Sequence, residues 1–158
     1  MMIRKARTDD MPGLMRIEAE CFGPEKFNEE TVRAFVVRDD TFVLVASREN
    51  RIVGSAMCLV SEATEEGRIA SIAVLKNQRS TGVGSSLLEE CEDEFKKRRL
   101  TKFSLEVDVS NEPAIAMYSS FGYNIIGVIP DFYGAGRDAY WMEKTVGLKK
   151  TRLSVRSA

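Results

Sequence analysis

An apolar strand pattern that runs into glycines and then into an amphipathic helix constrains the fold of this 158-residue chain most strongly. Residues 69–75 read as a strand and "NQRSTGVG" (77–84) follows. A single apolar stripe then recurs at helical spacing, formed by Val83, Leu87, Leu88, Cys91 and Phe95. A helix entered directly from a strand carries the chain back to a neighbouring strand, which then runs parallel to the first. The pattern therefore predicts a sheet with a parallel pair.

The chain before this unit predicts a strand, two helices and a meander. Apolar residues recur at helical spacing over 11–22, and Thr8 or Asp9 is placed to cap that helix. Asn28 is placed to cap a second helix, and Asn50 suits a tight hairpin turn. The expected antiparallel meander consists of residues 41–47, 51–61 and 69–75.

The chain after the central helix predicts three strands and one more helix. Asn111 can cap that helix, Pro113 is tolerated in its first turn, and Gly122 can end it in a left-handed conformation. The three strands are expected at residues 102–110, 123–130 and 138–146. The predicted class is α/β with a mixed sheet, in the order β-α-α-β-β-β-α-β-α-β-β.

The charges on the central helix run from acidic at its start to basic at its end, which complements the helix dipole. Three favourable i,i+4 pairs are expected, namely Glu92–Lys96, Asp93–Lys97 and Glu94–Arg98. We interpret this run as a solvated helix face, and a nucleic-acid site is the alternative. The formal net charge of −1 gives no strong nucleic-acid signal and no attraction to an anionic membrane.

The length of the chain fits one domain, which we assign to residues 1–145. Residues 146–158 carry four cations and no acid, so a basic and flexible tail is expected there, with a role in partner binding as the alternative. No stretch approaches the ~20 apolar residues of a membrane span, and the charged amino terminus does not read as a signal peptide. We expect no membrane association and a cytoplasmic location.

Histidine is absent from the sequence, which restricts the chemistry available to this chain. Proton transfer must use Asp, Glu, Tyr, Cys, Lys, the termini or water. Three cysteines without any histidine argue against a zinc site and against a disulfide framework, so no metal is expected. We expect Cys21, Cys58 and Cys91 to be buried thiols.

The glycine loop combines features of an anion site. A helix N-terminus presents free N–H groups, Arg79 and Lys76 add cations, and Gly82 and Gly84 let the backbone approach a phosphate. A phosphate-binding loop of the Walker type needs a Gly-Lys pair, which the sequence lacks, and a dinucleotide fingerprint needs glycine where Leu87 stands. A plain turn remains the alternative.

Four stretches of the sequence, at residues 71–74, 79–84, 105–123 and 132–142, resemble one family, the GCN5-related N-acetyltransferase (GNAT) superfamily. "RSTGVG" (79–84) resembles its [RQ]-x-x-G-x-[GA] signature, and "SIAV" (71–74) resembles its cofactor-pairing strand. "LEVDVSNEPAIAMYSSFGY" (105–123) and "FYGAGRDAYWM" (132–142) are similar to the subgroup that acetylates protein amino termini, which includes ribosomal-protein alanine acetyltransferases and archaeal relatives. The resemblance covers roughly residues 1–145. It implies a GNAT fold with a splayed central sheet and acetyl-CoA as co-substrate.

The resemblance also implies where the donor binds. Its pantetheine arm would pair like an extra strand with Ile72, Ala73 and Val74, and a backbone N–H near Val74 would hold the thioester oxygen. Asn111 and Tyr118 would contact the cofactor from the far side, although Asn111 could serve as a helix cap alone. The pyrophosphate would lie on the backbone of Arg79, Ser80, Thr81, Gly82, Val83, Gly84 and Ser85.

Catalysis, by the same resemblance, is assigned to two side chains. Glu106 is the candidate general base, acting through water, and Tyr118 is the candidate general acid. Glu106 could instead be a solvated strand residue, and Tyr118 an aromatic that packs with Phe121 and Tyr123. Some archaeal relatives have a histidine where this chain has Arg68, so a base shared with that histidine cannot be transferred.

The acceptor site is the remaining implication. "FGPEKF" resembles the loop that grips the substrate in this subgroup, which nominates Phe22, Glu25 and Phe27, and Tyr133 would close over the peptide. The same aromatics could simply cap the core. We predict acetylation of a protein or peptide N-terminus, with a ribosomal protein or the ribosome as possible partner. The alternatives are acetylation of a small amine or lysine side chain, and a non-catalytic acyl-CoA-binding module.

Overall fold

A computed structural model of the chain describes residues 1–147. The order of strands and helices is the predicted one. The strands are β1 (Met2–Lys5), β2 (Thr41–Arg48), β3 (Arg51–Ser61), β4 (Glu66–Val74), β5 (Lys102–Asp108), β6 (Asn124–Ile129) and β7 (Ala139–Thr145). The helices are α1 (Met11–Phe22), α2 (Glu29–Val37), α3 (Val83–Lys97) and α4 (Glu112–Ser120), and short 3-10 turns cover Thr8–Asp10, Gly23–Glu25 and Lys76–Gln78.

The strands form one mixed sheet in the order β1-β2-β3-β4-β5-β7-β6. β4 and β5 are parallel, and every other neighbouring pair is antiparallel. The meander and the parallel crossover through α3 are therefore confirmed. The expected tail, residues 146–158, lies outside the described residues from 148 onward. No helix within the described range is both long enough and apolar enough to cross a bilayer.

The parallel pairing of β4 and β5 is short, and its end opens the sheet. It runs from Glu66 opposite Lys102 to Ile69 opposite Leu105, although β4 continues to Val74. On the other edge of β4 the register with β3 slips at this point, and the extra residue is Ala70. A bulge bends its strand and increases the local twist. The bulge thus accounts for the divergence of β4 from β5 and for the predicted splay.

The predicted apolar stripe of α3 is the centre of the larger core. Val83, Leu87, Leu88, Cys91 and Phe95 are all buried against one face of the sheet. The other face is covered by α1 and α2, through Met11, Leu14 and Val32. Cys58 and Cys91 are buried as expected, but Cys21 is only half-buried. All three thiols are free.

Most predicted caps and turns are confirmed, and one is wrong. Asn28 Oδ1 accepts a hydrogen bond from Thr31 N–H at 2.8 Å, and Asn50 and Gly122 adopt positive φ values of 63° and 94°. Neither Thr8 nor Asp9 caps α1, because both lie within a preceding 3-10 turn. The residue before α1 is Asp10, whose carboxylate is instead bound by Arg4.

Of the three ion pairs expected on the charged face of α3, residues 1–147 show one, and Asp93–Lys97 is not formed. Glu94 pairs with Arg98 at 3.1 Å, as expected. Glu92 is buried and its carboxylate binds Lys144 of β7 at 2.8 Å, so the expected pair with Lys96 is wrong. The face turns toward β7 at this position, which periodicity within the helix does not reveal.

Gly67 in β4 provides a test of this packing. A Cβ at position 67 would lie 2.5 Å from Cδ1 of Phe95, whose ring is fully buried. We predict that Gly67→Ala lowers the free energy of unfolding by about 1–3 kcal/mol through overpacking. Urea denaturation measures this effect, and Gly127→Ala is the matched control because, among the described residues, no atom beyond its chain neighbours lies within 4 Å of its Cβ position. Equal stability of the two variants would contradict the prediction.

Candidate functional site

The opening between β4 and β5 leads into a cleft of about 790 Å³. Its walls come from α1, the turn after α1, the open ends of β4 and β5, the start of α4, and loop 130–138. The cleft brings together eight of the residues nominated from the sequence, namely Phe22, Glu25, Phe27, Ile72, Glu106, Asn111, Tyr118 and Tyr133. Among residues 1–147, no group of three or more His, Cys, Asp or Glu side chains is arranged to hold a metal ion.

The edge of β4 that faces the cleft is available for pairing after Ile69. Leu75 N–H bonds to β3, whereas the Val74 carbonyl accepts from Arg79 Nε at 3.0 Å and from the Cys21 thiol at 3.5 Å. The Val74 carbonyl therefore points away from β3. Because the N–H and C=O of one strand residue point to the same side, the N–H of Val74 also faces away from β3. An extended ligand can bond to this edge as an added strand would.

The glycine loop forms a turn at the start of α3. Gly82 is the N-cap residue and has a φ of 87°, and Ser80 has a φ of 62°. The helical ladder begins with Ser86 N–H bonding to the Gly82 carbonyl at 3.0 Å. Within the described chain, the N–H groups of the three preceding residues donate to no backbone carbonyl. They are Val83, Gly84 and Ser85, and free N–H groups at a helix N-terminus favour anions.

Two cations and one hydroxyl shape this loop. Arg79, nominated from the sequence, folds back onto the end of β4, and the Thr81 hydroxyl bonds to the Gln78 carbonyl. Arg48, at the end of β2, binds Gln78 Oε1 at 2.8 Å and the Thr81 hydroxyl at 3.1 Å. The sequence analysis missed Arg48. The predicted meander contained the signal, because it places the last residues of β2 and β4 at the same end of the sheet, with β3 between them.

Glu106 is held by an arginine. Its side chain is 6% exposed, so the reading as a solvated strand residue is wrong. The Arg68 guanidinium binds both carboxylate oxygens, with Nε 3.2 Å from Oε2 and a second, shorter contact from Nη2 to Oε1. Arg68 also lies 5.9 Å from the ring centroid of Trp141, which is opposite Glu106 in the β5–β7 ladder. Arg68 therefore supplies the partner of Glu106.

Tyr118 and Asn111 each combine the two readings that the sequence left open. Tyr118 packs edge-on against Tyr123, with ring centroids 6.0 Å apart, and it also lines the cleft. Burial raises the pKa of the Tyr118 phenol well above its usual value, so the hydroxyl stays protonated. Asn111 Oδ1 caps α4 by accepting from Ala114 N–H at 3.3 Å, and the residue lines the cleft as well.

The nominated acceptor residues are linked by an arginine that the sequence analysis missed. Arg137, in loop 130–138, binds Glu25 and also Asp108, the latter at 3.1 Å. Its guanidinium lies 5.5 Å from the ring centroid of Tyr133. Burial, together with Glu106 and Asp108, raises the pKa of Tyr133 to about 12. Arg137 thus links loop 130–138 by ion pairs to the turn after α1 and to the end of β5.

Aromatic residues line the other side of the acceptor region. Phe22 ends α1, and Phe27 stacks on Phe35 of α2 with ring centroids 6.0 Å apart. Phe27 therefore packs into the smaller core as well as lining the cleft. Both readings of "FGPEKF" thus apply to Phe27.

Glu18 is the functional candidate that the sequence analysis did not nominate. It lies on α1, lines the cleft, and is only 1% exposed. Neither carboxylate oxygen has a hydrogen-bond partner in the described chain, and the Phe27 N–H approaches without ordinary hydrogen-bond geometry. Burial raises the pKa of Glu18 to about 7. The sequence held a signal, since Glu18 falls on the apolar face between Leu14 and Cys21.

The raised pKa of Glu18 predicts a pH-dependent cost to stability. Below the unfolded-state pKa of ~4.3, both states are protonated and no cost arises. The cost grows as pH rises toward about 7 and is constant above, so we expect Glu18→Gln to stabilise the protein more at pH 8 than at pH 5. We expect the stabilisation by Glu18→Gln to be about 3 kcal/mol larger at pH 8 than at pH 5, and urea denaturation at both pH values measures it. The control is Glu20→Gln, at an exposed position on α1, and a pH-independent effect of Glu18→Gln would contradict the prediction.

Comparison with known proteins decides the family. Residues 11–123 match the Acetyltransferase (GNAT) family. The chain belongs to this family. The fold and the resemblance predicted from the sequence are thereby confirmed, and the protein is an acetyl-CoA-dependent N-acetyltransferase.

Individual relatives of this acetyltransferase agree over nearly its whole length. The N-alpha-acetyltransferase of Saccharolobus solfataricus is 29% identical over 153 residues, which cover 90% of this chain and 91% of the relative. The ribosomal-protein-S18-alanine N-acetyltransferase from Escherichia coli has a crystal structure that is 26% identical, with a TM-score of 0.85 and coverage of 96% and 97%. An aminoglycoside 6'-N-acetyltransferase complexed with coenzyme A shares the fold, with a TM-score of 0.81, coverage of 92% and 97%, and 18% identity.

Proposed function

We propose that this acetyltransferase moves the acetyl group of acetyl-CoA to the α-amino group of a protein N-terminus. The observation that carries the proposal is the charge of the cleft. Four carboxyl groups line it and two guanidinium groups oppose them, so two acids remain to attract a cationic amine. The relatives named for N-alpha-acetylation and for acetylation of an S18 alanine support the same acceptor class.

The missing histidine favours an α-amino acceptor over lysine. At pH 7, deprotonating an α-amino group of pKa ~7.8 costs about 1 kcal/mol, and a lysine of pKa ~10.4 costs about 4.6 kcal/mol. Without an imidazole to act as base near neutral pH, the acceptor with the lower cost suits this cleft better. Acetylation of a small amine is the second candidate, supported by the fold that the chain shares with the aminoglycoside enzyme.

Donor binding is assigned to the two sets of free backbone groups. The N–H groups at the start of α3, with the loop from Arg79 to Ser85, suit the pyrophosphate because a helix N-terminus favours anions. The open edge of β4 at Ile72, Ala73 and Val74 suits the pantetheine arm. The Val74 N–H is placed to bind the thioester oxygen as it gains charge. Asn111 and Tyr118 contact the donor from the α4 side.

The reaction forms a C–N bond, breaks a C–S bond and removes two protons from an ammonium. We assign Glu106 as general base through water, because Arg68 already binds both carboxylate oxygens and leaves their remaining lone pairs for a water. Tyr118 donates to the leaving sulfur as general acid. Its phenol has a pKa above that of an alkyl thiol at ~8.5, so the hydroxyl stabilises the thiolate chiefly by hydrogen bonding.

A peptide panel tests the acceptor class. We expect acetylation of short peptides with a free amino terminus, including one that begins with alanine, and loss of activity when that terminus is blocked. Mass spectrometry of the products, with an internal lysine in every peptide, identifies the modified nitrogen. Acetylation that persists on blocked peptides would overturn the N-terminal assignment in favour of lysine. Turnover restricted to small amines would favour the second candidate.

The roles of Glu106 and Tyr118 are tested by isosteric substitution. We predict that Glu106→Gln and Tyr118→Phe each lower kcat by about 10²-fold or more, since each removes one proton-transfer group. Calorimetric Kd values for coenzyme A should change little, which separates catalysis from donor binding. Unchanged kcat in both variants would mean that the roles are wrongly assigned. If the wild type itself shows negligible turnover, a non-catalytic acyl-CoA-binding module is favoured.

The partner and the location of the protein stay predictions. The similarity to the S18-alanine enzyme supports a protein acceptor, and a ribosomal protein is one candidate. A role for the basic tail in ribosome or nucleic-acid attachment predicts salt-sensitive binding that is lost when residues 146–158 are removed. A cytoplasmic location remains the expectation from the sequence.

A further inference from the structure

We infer that Glu18 is a second proton acceptor in the cleft, taking the proton that the acceptor ammonium loses before it attacks, while the Ser71 hydroxyl accepts a hydrogen bond from the same nitrogen. The inference rests on the proposed acetyl transfer to an amine. It assigns to α1 a part in the chemistry that none of the family motifs in this sequence indicates.

The partners of the four carboxyl groups in the cleft point to Glu18. Glu106 is bound by Arg68, and Glu25 and Asp108 are both bound by Arg137. Each of these three acids therefore has a cation that must be displaced or shared before an ammonium can bind. Glu18 is buried and is the one acid of the four without a hydrogen-bond partner in the described chain.

Ser71 adds a second, independent polar group on the same wall. Its Oγ is buried and also has no partner within residues 1–147. Ser71 is opposite Met57 in the β3–β4 ladder, and Met57 packs in the cluster with Met11 and Leu14 of α1. Side chains opposite each other on paired strands share a face of the sheet, so the Ser71 hydroxyl lies on the α1 side. It therefore shares that side with Glu18.

Burial of the Glu18 carboxylate and the Ser71 hydroxyl without hydrogen-bond donors lowers the stability of the fold, because each group has lost its hydrogen bonds to water. An ammonium supplies three N–H donors in one atom. Binding of the acceptor nitrogen would satisfy the carboxylate of Glu18 and the hydroxyl of Ser71 together. The wall is thus complementary to a ligand that carries a protonated amine.

The position of Glu18 along α1 brings it near the proposed reaction point. Cys21 follows Glu18 by three residues, about 5 Å along the helix axis. The Cys21 thiol donates to the Val74 carbonyl at 3.5 Å, and the neighbouring Val74 N–H is the group proposed to bind the thioester oxygen. An amine held by Glu18 therefore lies beside the edge of β4 where the acetyl carbon would be.

The proton balance gives each carboxyl group a distinct task. The ammonium first transfers one proton to Glu18 and becomes a neutral amine. The amine attacks the thioester carbon, and the second proton leaves through water to Glu106 as the C–N bond forms. The C–S bond breaks with the electron pair on sulfur, the Tyr118 hydroxyl hydrogen-bonds to the thiolate, and the proton held by Glu106 reaches the sulfur through water. Glu18 finally releases its proton to solvent, so one proton is lost per turnover.

The test compares Glu18→Gln with the wild type as a function of pH. Without Glu18, only acceptors already neutral in solution can react, and that fraction is about 14% at pH 7 and about 94% at pH 9 for a pKa of ~7.8. We expect kcat/KM of Glu18→Gln to fall about sevenfold at pH 7, in proportion to this fraction. Its ratio to the wild-type value should recover about sevenfold by pH 9. Glu18→Asp, which keeps the carboxylate, should restore part of the rate at pH 7.

Controls separate this role from a structural one and from the proposed function. Glu20→Gln, on the exposed face of α1, should leave the rate unchanged, and the Kd for coenzyme A should be the same in all variants. A deficit of equal size at pH 7 and pH 9, or no deficit, would overturn the role of Glu18. If the wild type acetylates a lysine or a small amine instead, the proposed acceptor fails, and the same comparison around that amine's pKa still tests Glu18.

Discussion

The cleft depends on the point where the ladder between β4 and β5 ends. Four residue pairs join these strands, and beyond Ile69 each strand keeps its other neighbour while the two separate. The extra residue at Ala70 bends β4 there without breaking its pairing to β3. The backbone groups that the lost pairing would have satisfied become an open edge, so one local irregularity provides both the edge proposed to bind the donor and the opening of the cleft proposed for the acceptor.

Arg68 and Glu106 face each other across the last paired residues of this opening. In a chain without histidine, an arginine at this position cannot act as a base, because its guanidinium stays protonated. It can fix the carboxylate of Glu106 against Trp141 and restrict the directions from which a water approaches. The catalytic demand for a group that changes protonation near neutral pH then falls on another side chain, and burial has raised the pKa of Glu18 to about 7.

The sequence predicted the fold more completely than the site, for physical reasons. Periodicity identified the strands and the stripe of α3, and local turn chemistry identified Asn28, Asn50 and Gly122, because those signals act within a few residues. The roles of Glu92 and Arg137 depend on partners more than 25 residues away, which no local pattern encodes. Glu18 is intermediate, since an acid on an apolar face was visible, whereas its lack of a partner required the packed structure.

Several polar groups without partners in the described chain adjoin one region of this molecule. The first N–H groups of α3, the open edge of β4, and the oxygens of Glu18 and Ser71 all adjoin the same opening. Each costs stability in the free protein, and a helix cap or a continued ladder would remove the cost of the backbone groups. The N–H groups at α3 suit an anion, whereas the carboxylate oxygens of Glu18 and the hydroxyl oxygen of Ser71 suit an ammonium. In the proposed reaction this polarity orients the substrates, with the phosphates at α3 and the amine at α1, so that the thioester and the nitrogen meet at Val74.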